Sequence, residues 1–201
     1  MDLGHFSFSN HRMFWSRVSA VGVLVYLAVV PAPAYVGKTL LDVGELLGFF
    51  LLVVAALGRT WCLSYIAGMK NDVLVSDGPY SVVRNPLYGF NFVGAVGLGL
   101  AVEAPMLALL LAIGFIGLYP RVVRNEEARL RTQFGDAYLR YSAETPRWIP
   151  DWSRYREPEF WVINPRRFRQ GLLDAMWFIW IFMAWEIVEE FPILEGLRAT
   201  F

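Results

Sequence analysis

The residues able to do chemistry lie in two short stretches of the chain. One, residues 74–88, reads Leu-Val-Ser-Asp-Gly-Pro-Tyr-Ser-Val-Val-Arg-Asn-Pro-Leu-Tyr. Pro79 and Pro86 fix their own φ angles and push the residue before each toward extended backbone. Such a stretch holds its arginine, asparagine and tyrosines in place. The other is the acidic pair Glu126-Glu127. An arginine can clamp a carboxylate, a glutamate can accept from ribose hydroxyls or an ammonium group, and aromatic faces can stack on a purine. Taken singly, each feature has an ordinary explanation. Arg84 can mark a membrane interface, Tyr80 and Tyr88 can be interfacial aromatics, and Glu126-Glu127 can be a solvated helix face. Their joint meaning depends on what brings them together.

Composition sets the frame. The chain has 201 residues, of which 56% are hydrophobic and only 18% charged. Soluble domains are roughly 45–50% apolar with about 25% charged residues. An all-α, polytopic membrane protein of one domain is expected over residues 1–201. Its formal net charge is zero, which gives no bulk attraction to nucleic acid. The single cysteine, Cys62, rules out an internal disulfide and a cysteine metal cluster. His5 and His11 both lie in the N-terminal tail, so no metal site is expected and no histidine base near the central loop. No P-loop or strand-borne nucleotide loop occurs, and Gly94, Gly97 and Gly99 read as helix packing within an apolar run.

About five transmembrane helices are expected. The first apolar stretch, between Arg17 and Lys38, is long enough to span and is read as a helix rather than a signal sequence. The second runs from about Val43 to Leu57, continuing toward Ile66, with Gly44 and Gly48 available for close helix approach. The third and fourth, between Arg84 and Glu103 and between Glu103 and Arg121, form a tight hairpin. From Arg121 to Arg169 the chain turns basic, with eleven of its eighteen Lys and Arg residues. A helix leaves the membrane there, and Pro146, Pro150 and Pro158 prevent it from running on. A fifth apolar run, Gly171 to Phe191, is expected to span, with an interfacial helix as the alternative because Asp174 and Glu186 interrupt it. Placing the basic segments on the cytosolic side orients all five spans. The central loop and the acidic pair then share that face. A ligand with adenine, ribose, ammonium and carboxylate would use their combined side chains, and S-adenosyl-L-methionine has all four.

Gly78-Pro79-Tyr80, Arg84-Asn85-Pro86-Leu87-Tyr88, Glu126-Glu127 and Phe134-Gly135-Asp136-Ala137-Tyr138-Leu139-Arg140-Tyr141 occur in that order. This set resembles the isoprenylcysteine carboxyl methyltransferase superfamily, which also includes the membrane phospholipid N-methyltransferases. The resemblance covers roughly Asp72 to Pro150. It implies an integral membrane enzyme using S-adenosylmethionine in a cytosol-facing region over residues 72–150, with a lipid or lipidated acceptor taken from the bilayer. It implies cofactor contacts from Asp72, Val73, Leu74, Val75, Tyr80, Asn85, Pro86, Leu87, Tyr88, Glu126 and Tyr138. Arg84 and Glu127 are the candidate catalytic residues, with Glu127 or a tyrosine as the proton acceptor should the methyl acceptor be an amine. Tyr138, Tyr141 and Arg147 would help close the site, with Arg121, Arg124 and Arg147 the candidates for contacting substrate.

Two departures from that family stand out. Where the isoprenylcysteine enzymes carry a substrate-facing arginine one turn before the glutamate, this chain has Val122. Where they usually carry histidine, it has Asn85, which hydrogen-bonds but does not titrate near neutrality. The extension over residues 158–201 has no placed counterpart, and is expected to shape the lipid entrance or to bind a partner protein.

Overall fold

The computed structural model describes residues 36–67 and 73–189. The first expected span, both histidines and Asp72 lie outside the described residues. Among these residues there are seven α-helices and one 3-10 turn, with no strand. The helices are α1 (Lys38–Ile66), α2 (Pro79–Val82), α3 (Pro86–Ala101), α4 (Pro105–Phe134), α5 (Asp136–Glu144), α6 (Pro165–Ala175) and α7 (Trp177–Glu189).

Proline sets several of the starts. Pro79, Pro86, Pro105 and Pro165 each open a helix, where the missing N–H costs nothing and the fixed φ suits the first turn. Two of the helices, α1 and α4, are long and apolar enough to cross a membrane. At 29 and 30 residues each extends about 45 Å, against a hydrocarbon core of about 30 Å. They bury only 22% and 17% of their apolar windows. Leu46, Phe50 and Leu57 on α1, and Leu110, Ile113 and Ile116 on α4, are exposed. An exposed apolar surface of that extent is suited to lipid, not water.

The central packing joins α1 to α3. Lipid solvates leucine as well as another helix does, so close backbone approach must supply much of the attraction. Gly48 provides it: a Cβ there would collide with the Ala101 backbone, and one at Gly97 would meet Leu51 Cβ at 2.8 Å and Gly48 O at 3.0 Å. Gly44, the other half of the expected pair, faces open space. At the far end of α3 the chain reverses through Val102–Ala104 into α4, as the tight hairpin requires. Leu52, Leu98, Ala101, Val102 and Leu107 form the core there, closed by Ile181 and Trp185 of α7.

Two elements differ from expectation. The fourth span and the helix leaving it are one continuous α4 that runs through Pro120. The proline removes only one ladder bond, and neighbouring turns carry the helix past it. The fifth apolar run, read as one helix, is two. Amphipathic α6 ends at Ala175, and the Met176 N–H bonds Leu172 O before apolar α7 begins. The Asp174 carbonyl, freed at that end, accepts from Arg59 Nη2 at 2.8 Å. This satisfies a terminal carbonyl that the helix leaves open.

Candidate functional site

The site is built at one end of the α1–α3–α4 bundle. The central loop reaches it in a fixed shape. Gly78 adopts φ +57°, and a side chain there would run into the Tyr65 ring. Glycine is the residue that combines that φ with so close an approach. The Gly78 N–H donates to Arg156 O at 2.7 Å, Arg84 N–H to Pro146 O at 2.9 Å, and Asp151 N–H to Val82 O at 2.9 Å. Ser81 Oγ donates to Gly78 O at 2.6 Å and accepts from the Arg156 N–H at 3.0 Å. Residues 146–156 are thus a strap laid along the loop. The Tyr141 hydroxyl adds a further tie, donating to Tyr80 O at 2.8 Å.

Glu127 is the centre. Its side chain is buried, and three side chains converge on it. Arg147 grips both oxygens, Nε to Oε1 at 3.2 Å and Nη2 to Oε2 at 2.6 Å. Asn85 Nδ2 donates to Oε1 at 3.2 Å, and Arg84 Nη1 lies 3.6 Å from the same atom. Two-point arginine–carboxylate contact fixes direction as well as charge. Asn85 sits at the N-cap of α3 but does not cap it with its side chain, which is turned instead to Glu127. One residue earlier, Glu126 is partly exposed and accepts from the Tyr88 hydroxyl at 2.5 Å. The Tyr88 ring meets Tyr119 edge-on at 5.4 Å, and Tyr119 stacks on Phe115. An aromatic wall therefore runs from Glu126 along the apolar part of α4.

Two buried polar atoms next to this cluster have no hydrogen-bond partner, Arg84 Nε and Tyr138 Oη. Burial, with the Glu127 charge adding to it, pushes the Tyr138 hydroxyl above its ordinary pKa, while the Arg84 cation pulls the other way. Burial likewise raises Tyr80 and Tyr141. These hydroxyls are neutral donors at physiological pH. Around Glu127, two guanidinium groups face one carboxylate, leaving one positive charge in excess. The unpartnered Arg84 and Tyr138 atoms and that charge fit a carboxylate, and partly exposed Glu126 fits an ammonium group or a sugar hydroxyl. The donor set therefore suits the amino-acid and ribose parts of S-adenosylmethionine.

The structure brings Arg84, Asn85, Tyr88, Glu126, Glu127, Tyr138 and Arg147 together. Arg147, expected to contact substrate, has Glu127 as its partner. Pro86 is buried as the first residue of α3, with Leu87 partly buried beside it. Leu74 and Val75 are partly buried in irregular chain, Val73 is exposed, and Tyr80 is partly buried in α2. Arg121 and Arg124 are exposed on α4 outside the cluster, as is Val122. Sequence reasoning missed the strap. Its ties are backbone hydrogen bonds, which leave no side-chain signature apart from the run of prolines. It also missed Arg59 of α1, which hydrogen-bonds Asn91 Oδ1 and lies 5.6 Å from the Phe178 ring centre. Among the described residues, no group of three or more His, Cys, Asp or Glu side chains is placed to hold a metal ion.

A family model described as phospholipid methyltransferase matches residues 34–137. The chain is 36% identical over 154 residues to a cobalt-zinc-cadmium resistance protein, CzcN, of Cupriavidus metallidurans, covering 77% of this chain and 71% of that one. It is 37% identical over 174 residues to a nickel-cobalt-cadmium resistance protein, NccN, of Alcaligenes xylosoxydans xylosoxydans, covering 85% and 79%. A shorter similarity, 33% over 81 residues, covers 40% of this chain and 34% of the protein-S-isoprenylcysteine O-methyltransferase of Schizosaccharomyces pombe. No solved structure gives a significant match.

Proposed function

This chain belongs to the phospholipid methyltransferase family, and on that premise we propose that it transfers a methyl group from S-adenosylmethionine to a lipidic or membrane-embedded acceptor. The observation that carries the proposal is the buried Glu127, held by Arg84, Asn85 and Arg147, with Glu126 and Tyr88 beside it at the end of an apolar bundle.

When bound, the cofactor supplies an already activated methyl group on a cationic sulfur. The residues have correspondingly modest chemical tasks. Arg84 Nε and Tyr138 Oη, buried and without a hydrogen-bond partner, would hold its carboxylate. Glu126 takes the ammonium or ribose, and Glu127 fixes both arginines so that their positions do not depend on the ligand. The Tyr88–Tyr119–Phe115 wall leads from the site toward the bilayer and excludes water along an acyl chain. Proximity and alignment of this kind can supply up to ~7–11 kcal/mol of a barrier. A carboxylate or thiolate acceptor needs no base, whereas an amine must lose a proton. Glu127 is committed to two guanidinium groups, which leaves the more accessible Glu126 better placed than Glu127 for that task. In this proposal the site faces the cytosol and the chain crosses the bilayer several times, as the distribution of basic residues favours.

The family description favours a phospholipid amine as acceptor, and the shorter similarity favours an isoprenylated cysteine carboxylate. The metal-resistance names of two relatives specify no methyl transfer, and the second reading is a membrane subunit that retains the fold and assembles with other proteins without methyl transfer. Labelled methyl transfer from S-adenosylmethionine into total membrane extract separates them. Label in phosphatidylethanolamine derivatives assigns the first acceptor, and base-labile methyl ester assigns the second. No label from folded protein that binds S-adenosylhomocysteine supports the non-catalytic subunit.

A further inference from the structure

Between the site and α6 runs an irregular segment with an unusual surface. Phe160 is 83% exposed and Ile149 81%, and Trp152, Trp161 and Val162 are also exposed. Such side chains in irregular backbone are not the outer face of a spanning helix. Their bases are nonetheless anchored on one. Trp152 stacks on Trp61 with ring planes 1° apart, and Trp161 stacks on Tyr65 at 5.1 Å. Trp61 and Tyr65 occupy the last two turns of α1, where a spanning helix emerges from the hydrocarbon. Tryptophan and tyrosine concentrate at that level because one end of each ring is apolar and the other polar.

The basic residues lie just beyond. Arg166, Arg167 and Arg169 are exposed on α6, whose polar and apolar residues separate onto two faces. No salt bridge engages these three among the described residues. The arrangement is an apolar edge continuous with the lipid-facing end of α1, backed by these three arginines, in a segment whose five arginines outnumber its acidic residues Asp151, Glu157 and Glu159. That combination suits an anionic headgroup layer, which attracts basic side chains next to an inserted apolar surface. The same segment is the strap that ties Val82, Gly78 and Arg84 and delivers Arg147 to Glu127.

We propose that residues 148–169 form an interfacial collar seated in an anionic phospholipid headgroup layer, and that this seating steadies the cofactor site through Arg147. The second half rests on the cofactor assignment proposed above; the first half does not. Lipid engagement restricts the strap, and a restricted strap holds Arg147 on Glu127 at lower entropic cost to the incoming ligand. Anionic lipid is thereby a regulator of this site, separate from any lipid that serves as acceptor.

The test uses the full chain in nanodiscs of phosphatidylcholine alone or with phosphatidylglycerol. An environment-sensitive fluorophore is attached through Phe160→Cys in a Cys62→Ser background, and the lipids are brominated near the headgroup. The proposal predicts blue-shifted emission quenched by bromine, and more strongly so with phosphatidylglycerol. Water-like, unquenched emission in both discs overturns the collar, including the case in which another protein covers this face. Quenching indifferent to phosphatidylglycerol overturns the anionic preference. For the coupling, S-adenosylhomocysteine affinity is compared in the two discs. A tightening of roughly fivefold, the factor from one basic side chain engaging an anionic surface, is expected with phosphatidylglycerol. The combined Arg166→Gln, Arg167→Gln and Arg169→Gln variant loses that gain while keeping its affinity in phosphatidylcholine. Equal affinities in both discs overturn the coupling. Absence of S-adenosylhomocysteine binding in either disc overturns the cofactor assignment and the coupling with it, while the fluorophore still reports on the collar.

Discussion

Arg147 closes on Glu127 with both ends of its fork, Nη2 at 2.6 Å from Oε2 and Nε at 3.2 Å from Oε1. The contact joins α4 to the strap that crosses the central loop. The two partners are unequal: Glu127 is buried, whereas the Arg147 side chain is 41% exposed.

That asymmetry gives the first prediction. Glu127→Ala leaves Arg84, whose side chain is only 14% exposed, without its counter-charge. An uncompensated buried charge costs about 3 kcal/mol. Arg147→Ala removes a solvent-screened partner and costs about 1 kcal/mol. Thermal denaturation in detergent should therefore show the larger loss for Glu127→Ala. Equal losses would show that Arg147 is as fully desolvated as Arg84.

Asn85 supplies the second. Its Nδ2 donates to Glu127 Oε1, so Asn85→Ala removes one hydrogen bond to a charged group, worth about 1.5–3 kcal/mol. Asn85→Asp does more harm, because it sets a second carboxylate against the first. S-adenosylhomocysteine affinity should fall in the order Asn85, Asn85→Ala, Asn85→Asp, and an unaffected Asp variant would place this position outside the site.

Helix packing supplies the third. Gly48→Ala forces a Cβ into the Ala101 backbone, whereas Gly44→Ala points into open space. Overpacking costs about 1–3 kcal/mol. Melting in detergent should drop for Gly48→Ala and stay level for Gly44→Ala, with both substitutions equally favourable to the helix itself.

The fourth concerns pH. Tyr80, Tyr138 and Tyr141 all have pKa values raised in the folded protein, chiefly by burial. The unfolded chain loses these protons first, near the ordinary tyrosine value of about 10. Stability is therefore fully present below that pH and falls as pH rises above it, through the raised folded values. Unfolding temperature measured from neutral pH into that range should decline, and Tyr138→Phe should make the decline shallower. A slope unchanged by the substitution would mean that Tyr138 ionises equally easily in both states.

Much of this was legible in the sequence. The two helices long and apolar enough to cross a membrane follow from uninterrupted apolar runs, and the hairpin from the few residues between Ala101 and Pro105. The association of residues 84–88 with Glu126-Glu127 follows because an apolar hairpin returns the chain to the end where it began. What was not legible depends on contacts without a pattern. Arg147 reaches Glu127 only after the chain turns at Gly135, φ +53°, and no periodicity reports that. The break at Met176 was hidden because Gly171 to Phe191 is apolar enough to read as one helix. The terminal carbonyl that marks the break is satisfied by Arg59, 115 residues away in sequence.

Calorimetry with S-adenosylhomocysteine on detergent-solubilised protein tests whether this cluster holds S-adenosylmethionine. Saturable binding with one site per chain is expected, weakened about tenfold or more by Arg84→Ala and by Glu126→Ala, each of which removes a charge-assisted contact. No detectable binding to folded protein, or binding indifferent to both substitutions, would contradict that assignment.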